Sequence, residues 1–363
     1  MKWSLKLGSI GGIGVYLHWT FGLLIAWIFL AHLGAGQTTG QAVVGVAFIL
    51  ALFACVVMHE FGHALVAKHC GVRTRDITLL PIGGVARMER IPDKAMQEFW
   101  VSVAGPAVNA LIAGILFIVL ALFDHWQPVR TLEGLEGGFV EQLMWVNLFI
   151  GAFNLLPAFP MDGGRVLRSL LATRMGRRRA TVIAANIGQV MAILLGVVGF
   201  FYNPVLIFIA VFVYLGAQAE MDYVETQSAL EGLHVRDAMM TRFRTLAAGD
   251  SVGTAVEELL AGAQQDFPVL EDGQVLGILR RNDLVKALTD GRQTATVADV
   301  MYRECIPVDE SDVLMMTLES MGNNQNSSVP VLGRGRFVGL LTLENISELL
   351  MVNAALTGVA PAR

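Results

Sequence analysis

Residues 41–67 read QAVVGVAFILALFACVVMHEFGHALVA, an apolar run long enough to cross a bilayer that nevertheless contains two histidines and a glutamate. On a helix, His59 and His63 share one face, so both imidazoles can bind one metal ion, and Glu60 between them can act as a general base. A bare match to this five-residue pattern is weak. Ionisable side chains are costly inside a membrane, however, so their presence in a spanning segment indicates a functional site, here a metal site.

The rest of the chain has the composition of a polytopic α-helical membrane protein. Of its 363 residues, 54% are hydrophobic and only 16% are charged, and the mean hydropathy is +0.57. Long stretches without Asp, Glu, Lys or Arg predict about six membrane-spanning helices. They are expected at 14–34, 41–67, 99–123, 142–161, 181–202 and 204–220.

Basic residues indicate the orientation, because they concentrate on the cytoplasmic side of membrane proteins. The three clusters are Lys2 and Lys6 before the first span, Lys68, Arg73, Arg75, Arg87, Arg90 and Lys94 after the second, and Arg165, Arg168, Arg174, Arg177, Arg178 and Arg179 after the fourth. We therefore expect both termini on the cytoplasmic side of the cell membrane of a prokaryote. The net charge of -5 argues against a nucleic-acid partner. Three scattered cysteines are too few for a disulfide framework.

A catalytic zinc site usually has three protein ligands and one open position, so the two histidines need a partner. The best candidate is Asp162, within NLLPAFPMDGGR at residues 154–165. Two prolines disturb the helix before it and two glycines after it permit a close backbone approach, so the carboxylate can point inward. Taken alone, the aspartate could equally cap the following helix. Its depth near the inner interface, which it shares with His59 and His63, favours the metal-ligand interpretation.

Together these residues resemble the site-2 protease family of intramembrane zinc metalloproteases. The resemblance covers the whole membrane domain and includes AGPAVN at 104–109, which is similar to the family's Gly-Pro-x-x-Asn element. It implies one zinc ion per chain, bound by His59, His63 and Asp162, with Glu60 as the general base and later the proton donor. It also implies that the substrate is another membrane protein, cleaved in or near a transmembrane segment during regulated intramembrane proteolysis.

Two further groups of residues are candidates for binding that substrate. Asn109 and Asn154 are intramembrane amides that could bind the substrate backbone, although interhelical hydrogen bonding is an equally good interpretation. Residues 76–88 are rich in β-branched residues and glycine, and they predict a strand whose edge pairs with an extended substrate. The alternative is an ordinary re-entrant turn. The residues expected at the strand edge are Gly83, Gly84 and Val85.

From Glu220 onwards the composition becomes ordinary, and a repeat of about 62 residues appears. VRDAM at 235–239 is echoed by VADVM at 297–301, and FPVL at 267–270 is echoed by VPVL at 329–332. Each repeat predicts an initial segment, a helix, a hairpin of two strands and a closing helix. This pattern resembles a tandem pair of cystathionine-β-synthase (CBS) domains, an α/β module that could also form a homodimer.

The expected domain organisation follows from these two halves. It comprises a transmembrane metalloprotease domain at 1–222, a linker at 223–234, CBS repeats at 235–290 and 295–352, and a tail at 353–363.

Tandem CBS domains often bind ATP or another adenine nucleotide, and a Ser or Thr three residues before an Asp commonly contacts the ligand. The first repeat has Asp283 but carries Arg280 at the hydroxyl position. The second repeat has Thr342 but carries Asn345 at the acidic position. Each half-site is incomplete, so nucleotide binding that modulates the protease and a purely structural dimerisation role both stay open.

Two other functions compete with proteolysis. CBS pairs also occur below the membrane spans of ion channels, so the main alternative is a CBS-gated transporter or channel in which the histidines and Asp162 form a cation site. Glu60 distinguishes the two, because a hydrolase needs a general base beside a three-ligand site and a transporter does not. A catalytically inactive relative is the second alternative, and the presence of Glu60 with all three candidate ligands argues against it.

Overall fold

The computed structural model divides the chain into two compact units, Met1–Met221 and Asp222–Arg363. It describes residues 4–81, 83–88, 92, 94–123, 138–324 and 326–357. Lys2 and Arg90, counted above among the basic residues, lie outside the described residues, as does the end of the expected tail at 358–363.

Helices make up most of the first unit. They are α1 (Thr20–Gly34), α2 (Thr39–His69), α3 (Ala95–Leu122), α4 (Phe139–Asn154), α5 (Asp162–Ala172), α6 (Arg177–Tyr202) and α7 (Pro204–Ala229), which continues into the second unit. Among the described residues, α2, α3, α6 and α7 are long and apolar enough to cross a membrane. Helices α1 and α4, with 15 and 16 residues, are shorter than a typical span of about 20. The prediction of a membrane protein is confirmed, whereas the count of six spans is not.

The first expected span begins too early. It was expected from residue 14, but a strand runs to His18 and α1 starts at Thr20. Hydropathy does not separate a short apolar strand from an apolar helix, and the β-branched and aromatic residues at 13–18 favour the strand.

The fourth expected span ends too late. It was expected to reach residue 161, but α4 ends at Asn154 and an irregular segment follows as far as Met161. Pro157 and Pro160 lie in this segment, and proline cannot continue the hydrogen bonding of a helix. The polypeptide therefore turns before α5, which begins at Asp162.

A four-stranded sheet packs against α2. Its strands lie in the order β1 (Ser4–Ile10), β2 (Ile13–His18), β3 (Thr74–Leu80) and β4 (Gly83–Met88). The β2–β3 pair is parallel and the other two pairs are antiparallel, so β1 and β4 are the edge strands. Ile13 and Ile77 are buried from the sheet side against Ala64 of α2. The sheet therefore lies beside the helix that carries the histidines.

The second unit contains two similar halves. The first comprises α8 (Val235–Ala238), β5 (Leu246–Ala247), α9 (Val252–Ala261), β6 (Phe267–Glu271), β7 (Gln274–Leu279) and α10 (Arg281–Thr289), and the second comprises α11 (Val297–Val300), β8 (Val308–Asp309), α12 (Leu314–Asn324), β9 (Ser328–Gly333), β10 (Arg336–Thr342) and α13 (Leu343–Thr357). Each half has the predicted helix, hairpin and closing helix. Each also has a short strand that pairs in parallel with the first strand of the hairpin.

A buried carboxylate joins the two halves of the second unit. Asp266 of the first half accepts hydrogen bonds from Ser327 Oγ at 2.8 Å and Ser328 Oγ at 2.6 Å in the second half. It also accepts a bond from the Arg281 backbone N–H at 3.0 Å. The repeats therefore pack as one module, as the sequence predicts.

Candidate metal centre

Three side chains from two helices converge in the first unit. His59 and His63 lie one turn apart on α2 and are 5% and 6% exposed, while Asp162 is the first residue of α5. The two imidazole Nε2 atoms are 3.0 Å apart. The Oδ2 atom of Asp162 lies 3.1 Å from Nε2 of His63 and 3.3 Å from Nε2 of His59. The sequence-predicted ligand set therefore forms a compact triangle of nitrogen and oxygen atoms.

The size of this triangle fits a tetrahedral zinc ion. Zinc binds imidazole nitrogen and carboxylate oxygen at about 2.0–2.2 Å, which places neighbouring ligand atoms about 3.3 Å apart. The longest edge observed, from Asp162 Oδ2 to His59 Nε2, is 3.3 Å. Two histidines and one carboxylate also leave the fourth tetrahedral position open, as in catalytic zinc sites.

The hydrogen bond of His63 determines which of its ring nitrogens is available. Its Nδ1 lies 2.6 Å from the backbone carbonyl oxygen of Val101 on α3. Because a carbonyl oxygen only accepts, Nδ1 carries the proton and Nε2 presents a lone pair to the triangle.

A chain of hydrogen-bonded amides determines which ring nitrogen of His59 carries the proton. The Leu143 carbonyl accepts from Asn147 Nδ2 at 2.8 Å, and Asn147 Oδ1 accepts from Asn109 Nδ2 at 2.9 Å. This leaves Oδ1 of Asn109 to accept from Nδ1 of His59. Both Nε2 atoms and the carboxylate therefore face one another as acceptors, and a cation among them satisfies all three.

Two glycines leave the space that the three ligand side chains need. A Cβ atom on Gly105 of α3 would lie 2.6 Å from Nε2 of His59, so only glycine leaves room beside the histidines. A Cβ on Gly163 would overlap the carbonyl groups of Leu155 and Leu156, so glycine also permits the tight turn that presents Asp162. The role of Gly105 was not predicted, although it is the first residue of the Gly-Pro-x-x-Asn element at 105–109.

Glu60 lies between the histidines and the edge of the sheet. A Cβ on Gly84 of β4 would lie 2.8 Å from Cγ of Glu60, so the strand crosses α2 at this residue. The strand predicted within 76–88 is confirmed as β3 and β4, and a simple re-entrant turn is excluded. Val85 is 45% exposed on the edge strand. Pairing of this edge with a substrate stays a prediction.

The two candidate amides have different surroundings. Asn109 is fully buried and uses its amide for the bonds to His59 and Asn147, which matches the interhelical interpretation. Asn154 is half-buried at the last residue of α4, and its side chain has no hydrogen-bond partner among the described residues. Asn154 is therefore better placed than Asn109 to contact a substrate.

The candidate nucleotide-binding residues in the second unit form hydrogen bonds with neighbouring side chains. Arg280 donates from Nε to Asp283 at 2.7 Å and from Nη2 at 3.3 Å, and this hydrogen bonding raises the pKa of the guanidinium. Thr342 donates to Asn345 at 2.8 Å at the start of α13. The Arg280 guanidinium lies 4.0 Å from the ring centroid of Tyr302, at the wall of a cavity of about 440 Å³. That cavity is also lined by Arg303, Glu304, Cys305, Ile306, Asn324 and Asn326.

Comparison with known proteins gives the same division of the chain. The model of peptidase family M50 matches residues 47–142 and 133–196, and the CBS domain model matches 235–290 and 297–352. The zinc metalloprotease MJ0392 of Methanocaldococcus jannaschii is 33% identical over 353 residues, covering 97% of each chain. The Mycobacterium tuberculosis protein Rip3 is 30% identical over 384 residues, covering 97% of this chain and 94% of its own. A solved site-2 protease structure from Methanocaldococcus jannaschii is 38% identical with a TM-score of 0.45, covering 60% of this chain and 95% of that one.

Proposed function

The chain belongs to peptidase family M50, the site-2-type zinc metalloproteases, and on that premise we propose that it hydrolyses a peptide bond in or near a transmembrane segment of another protein. The observation that carries this proposal is the triangle of lone pairs from His59, His63 and Asp162, directly beside Glu60. Two of these ligands lie on α2, which is apolar enough to cross a membrane.

We assign one zinc ion per chain to His59, His63 and Asp162. The two fixed imidazole tautomers and the ligand spacing support this assignment. Zinc supplies Lewis acidity, which lowers the pKa of water and polarises a carbonyl group. Family membership favours this use of the site over a cation pathway in a transporter.

Glu60 is the proposed general base. Glu60 directly follows His59 in the chain, so its carboxylate would lie beside the bound metal and would remove a proton from the attacking water. The same carboxylate then returns the proton to the amide nitrogen of the leaving group. Asn154, which has no partner among the described residues, is the proposed contact for the substrate backbone.

Strand β4 is the proposed surface on which the substrate becomes extended. A peptide bond inside a helix is shielded by the helix's own hydrogen bonds, so the substrate must unwind before it can be cleaved. An edge strand offers unpaired backbone groups that can bind an added strand. Because Gly84 lies against Glu60, a segment paired with β4 passes close to the general base.

We also propose that the protein acts in regulated intramembrane proteolysis in the cell membrane, with both termini and the CBS module in the cytoplasm. The predicted orientation rests on the basic residues of the inner loops. His59 and His63 lie toward the end of α2 that leads into the basic residues after it, and Asp162 lies three residues before Arg165. Water would therefore reach the metal site from the cytoplasmic side.

An adenine nucleotide is the proposed modulator of the CBS module. The cavity beside Tyr302 supports this, because it lies next to the half-site that contains Arg280 and Asp283. A calorimetric titration with AMP and with ATP tests the proposal. Affinity in the millimolar range or better supports it, and no measurable binding leaves the module with a structural role.

The proteolytic function is tested by cleavage of a panel of single-span substrates by purified wild-type protein and by the Glu60→Gln variant, with bound zinc measured in both. We expect the variant to keep its zinc and to lose at least about a hundredfold in rate, as for removal of a general base. Equal cleavage by both proteins, independent of metal, would contradict the proposal.

A further inference from the structure

A buried arginine lies on the same helix as Asp162. Arg168 of α5 is 1% exposed, and it is among the largest fully buried side chains in the described part of the chain. The sequence gives it no special status, because it is one of six arginines between the fourth and fifth expected spans. A fully buried guanidinium is stable only when its charge and its donors are paired, so its partners indicate what holds it there.

Two carboxylates from other helices bind Arg168. Glu98, in the first turn of α3, accepts from Nε at 2.7 Å and from Nη2 at 2.5 Å through the same Oε1 atom. Glu220, on α7, accepts from Nη1. The second oxygen of Glu98 lies 3.5 Å from Nη2 of Arg177, the first residue of α6. The cluster therefore joins α5 to three other helices and balances two positive charges with two negative charges.

The same side chain also contacts the segment that precedes Asp162. The Arg168 guanidinium lies 5.1 Å from the ring centroid of Phe159, which is fully buried. Phe159 comes three residues before Asp162, and Arg168 comes six residues after it on α5, about 9 Å along a helix. Arg168 thus supports both sides of the turn that presents the carboxylate.

The three metal-ligand candidates differ in their own support. His59 is oriented by Asn109 and His63 by the Val101 carbonyl. Among the residues that the structure describes, the polar contacts of the Asp162 carboxylate are the Nε2 atoms of those two imidazoles, and neither nitrogen donates a hydrogen bond to it. Its direction must therefore come from the backbone of the turn and of α5, which makes the anchor of α5 important for the site.

We propose that Arg168 is the positioning residue for Asp162: clamped by Glu98 and Glu220, it holds α5 and the Phe159 turn so that the carboxylate meets the two histidines. This inference rests on the proposed zinc site. The planar guanidinium suits the role because its donors point in fixed directions toward two carboxylates at once. Glu220 lies on α7, so these ion pairs also join α5 to α7 within the first unit.

The test compares zinc release from full-length, zinc-loaded protein into an excess of a chromogenic chelator. We expect Arg168→Met to release zinc at least about tenfold faster than wild type, as for other residues that orient metal ligands. Arg174→Met is the matched control, because it removes an exposed arginine just beyond α5 and should leave the release rate unchanged. The cobalt-substituted Arg168→Met protein should also show an altered visible spectrum, because one ligand is displaced.

Arg168→Lys keeps the positive charge but lacks the planar set of guanidinium donors. It tests the positioning role if the methionine variant does not fold. We expect lysine to give a release rate between wild type and methionine, with kcat lowered and KM unchanged. Zinc release, cobalt spectrum and kcat all equal to wild type in a folded Arg168 variant would overturn the positioning role alone. Wild-type protein that fails to bind zinc would instead refute the proposed function.

Discussion

The metal centre and the nucleotide half-sites differ in whether their polar side chains are satisfied by one another. In the metal centre, His59, His63 and Asp162 turn three acceptors toward one point and leave them without a donor among themselves. In the half-sites, Asp283 is bound by Arg280 and Thr342 is bound by Asn345. A site that needs an external partner keeps buried acceptors facing one another, whereas a site that satisfies itself does not require a ligand.

The largest effect is expected from removing one corner of the triangle. His63→Ala should abolish both zinc binding and cleavage, because two remaining ligands cannot hold a catalytic ion in place. Metal analysis and a substrate assay on the same preparation provide the measurement. His69→Ala is the control, since this exposed histidine at the end of α2 has the Leu65 carbonyl as its side-chain hydrogen-bond partner among the described residues. Zinc retained at the wild-type level in His63→Ala would contradict the comparison.

The next largest effect concerns the strand beside the centre. Val85→Pro removes a backbone donor from β4, and we expect cleavage to fall by about a hundredfold, the cost of misplacing a substrate by about 1 Å. Zinc content should not change. Ser9→Pro, in the opposite edge strand β1, is the matched control. Similar losses in both variants would show that general damage to the sheet, and not substrate pairing, is responsible.

The amide chain behind His59 gives a smaller and graded effect. Asn109→Ala should weaken zinc binding by about 10–100-fold, as for other groups that orient a metal-bound histidine. Asn147→Ala, one step further from the metal, should weaken it less. Competition with a chelator of known affinity measures both. Equal affinity in wild type and Asn109→Ala would mean that the hydrogen bond does not orient His59.

The smallest effect is expected in the second unit. Arg280→Ser frees Asp283 and restores a hydroxyl three residues before it, so the affinity for AMP should rise by about tenfold, or about 1.4 kcal/mol. Asn345→Asp makes the equivalent repair beside Thr342. Titration of both variants with AMP is the measurement. If neither binds more tightly than wild type, the self-paired side chains are not what limits nucleotide binding.

The sequence predicted the centre better than its surroundings because zinc chemistry restricts the residue types that can serve. The histidine pair with its glutamate and the distant aspartate could be found from pattern and depth alone. The support of each ligand could not, since the bond from His59 to Asn109 joins residues fifty positions apart. The strand β2 was missed because a short apolar strand and a helix have the same hydropathy.

Arg168 illustrates a second limit of prediction from sequence. It was counted among the basic residues of an inner loop, where arginines are normally exposed. Its partners Glu98 and Glu220 lie 70 and 52 residues away, so no local window relates the three. Counting charges predicts an orientation in the membrane, but it cannot show that this arginine is buried beside the turn that carries Asp162.

The central claim is that the triangle of His59, His63 and Asp162 holds the zinc of an intramembrane protease. It is tested most directly by reconstituting the full-length protein with a single-span substrate, and by measuring cleavage before zinc removal, after it, and after zinc is restored. We predict that cleavage disappears on removal and returns with one zinc per chain, and that mass spectrometry places the cut in or near the transmembrane segment. Cleavage that persists without zinc, or full zinc occupancy without any cleavage, would contradict the account.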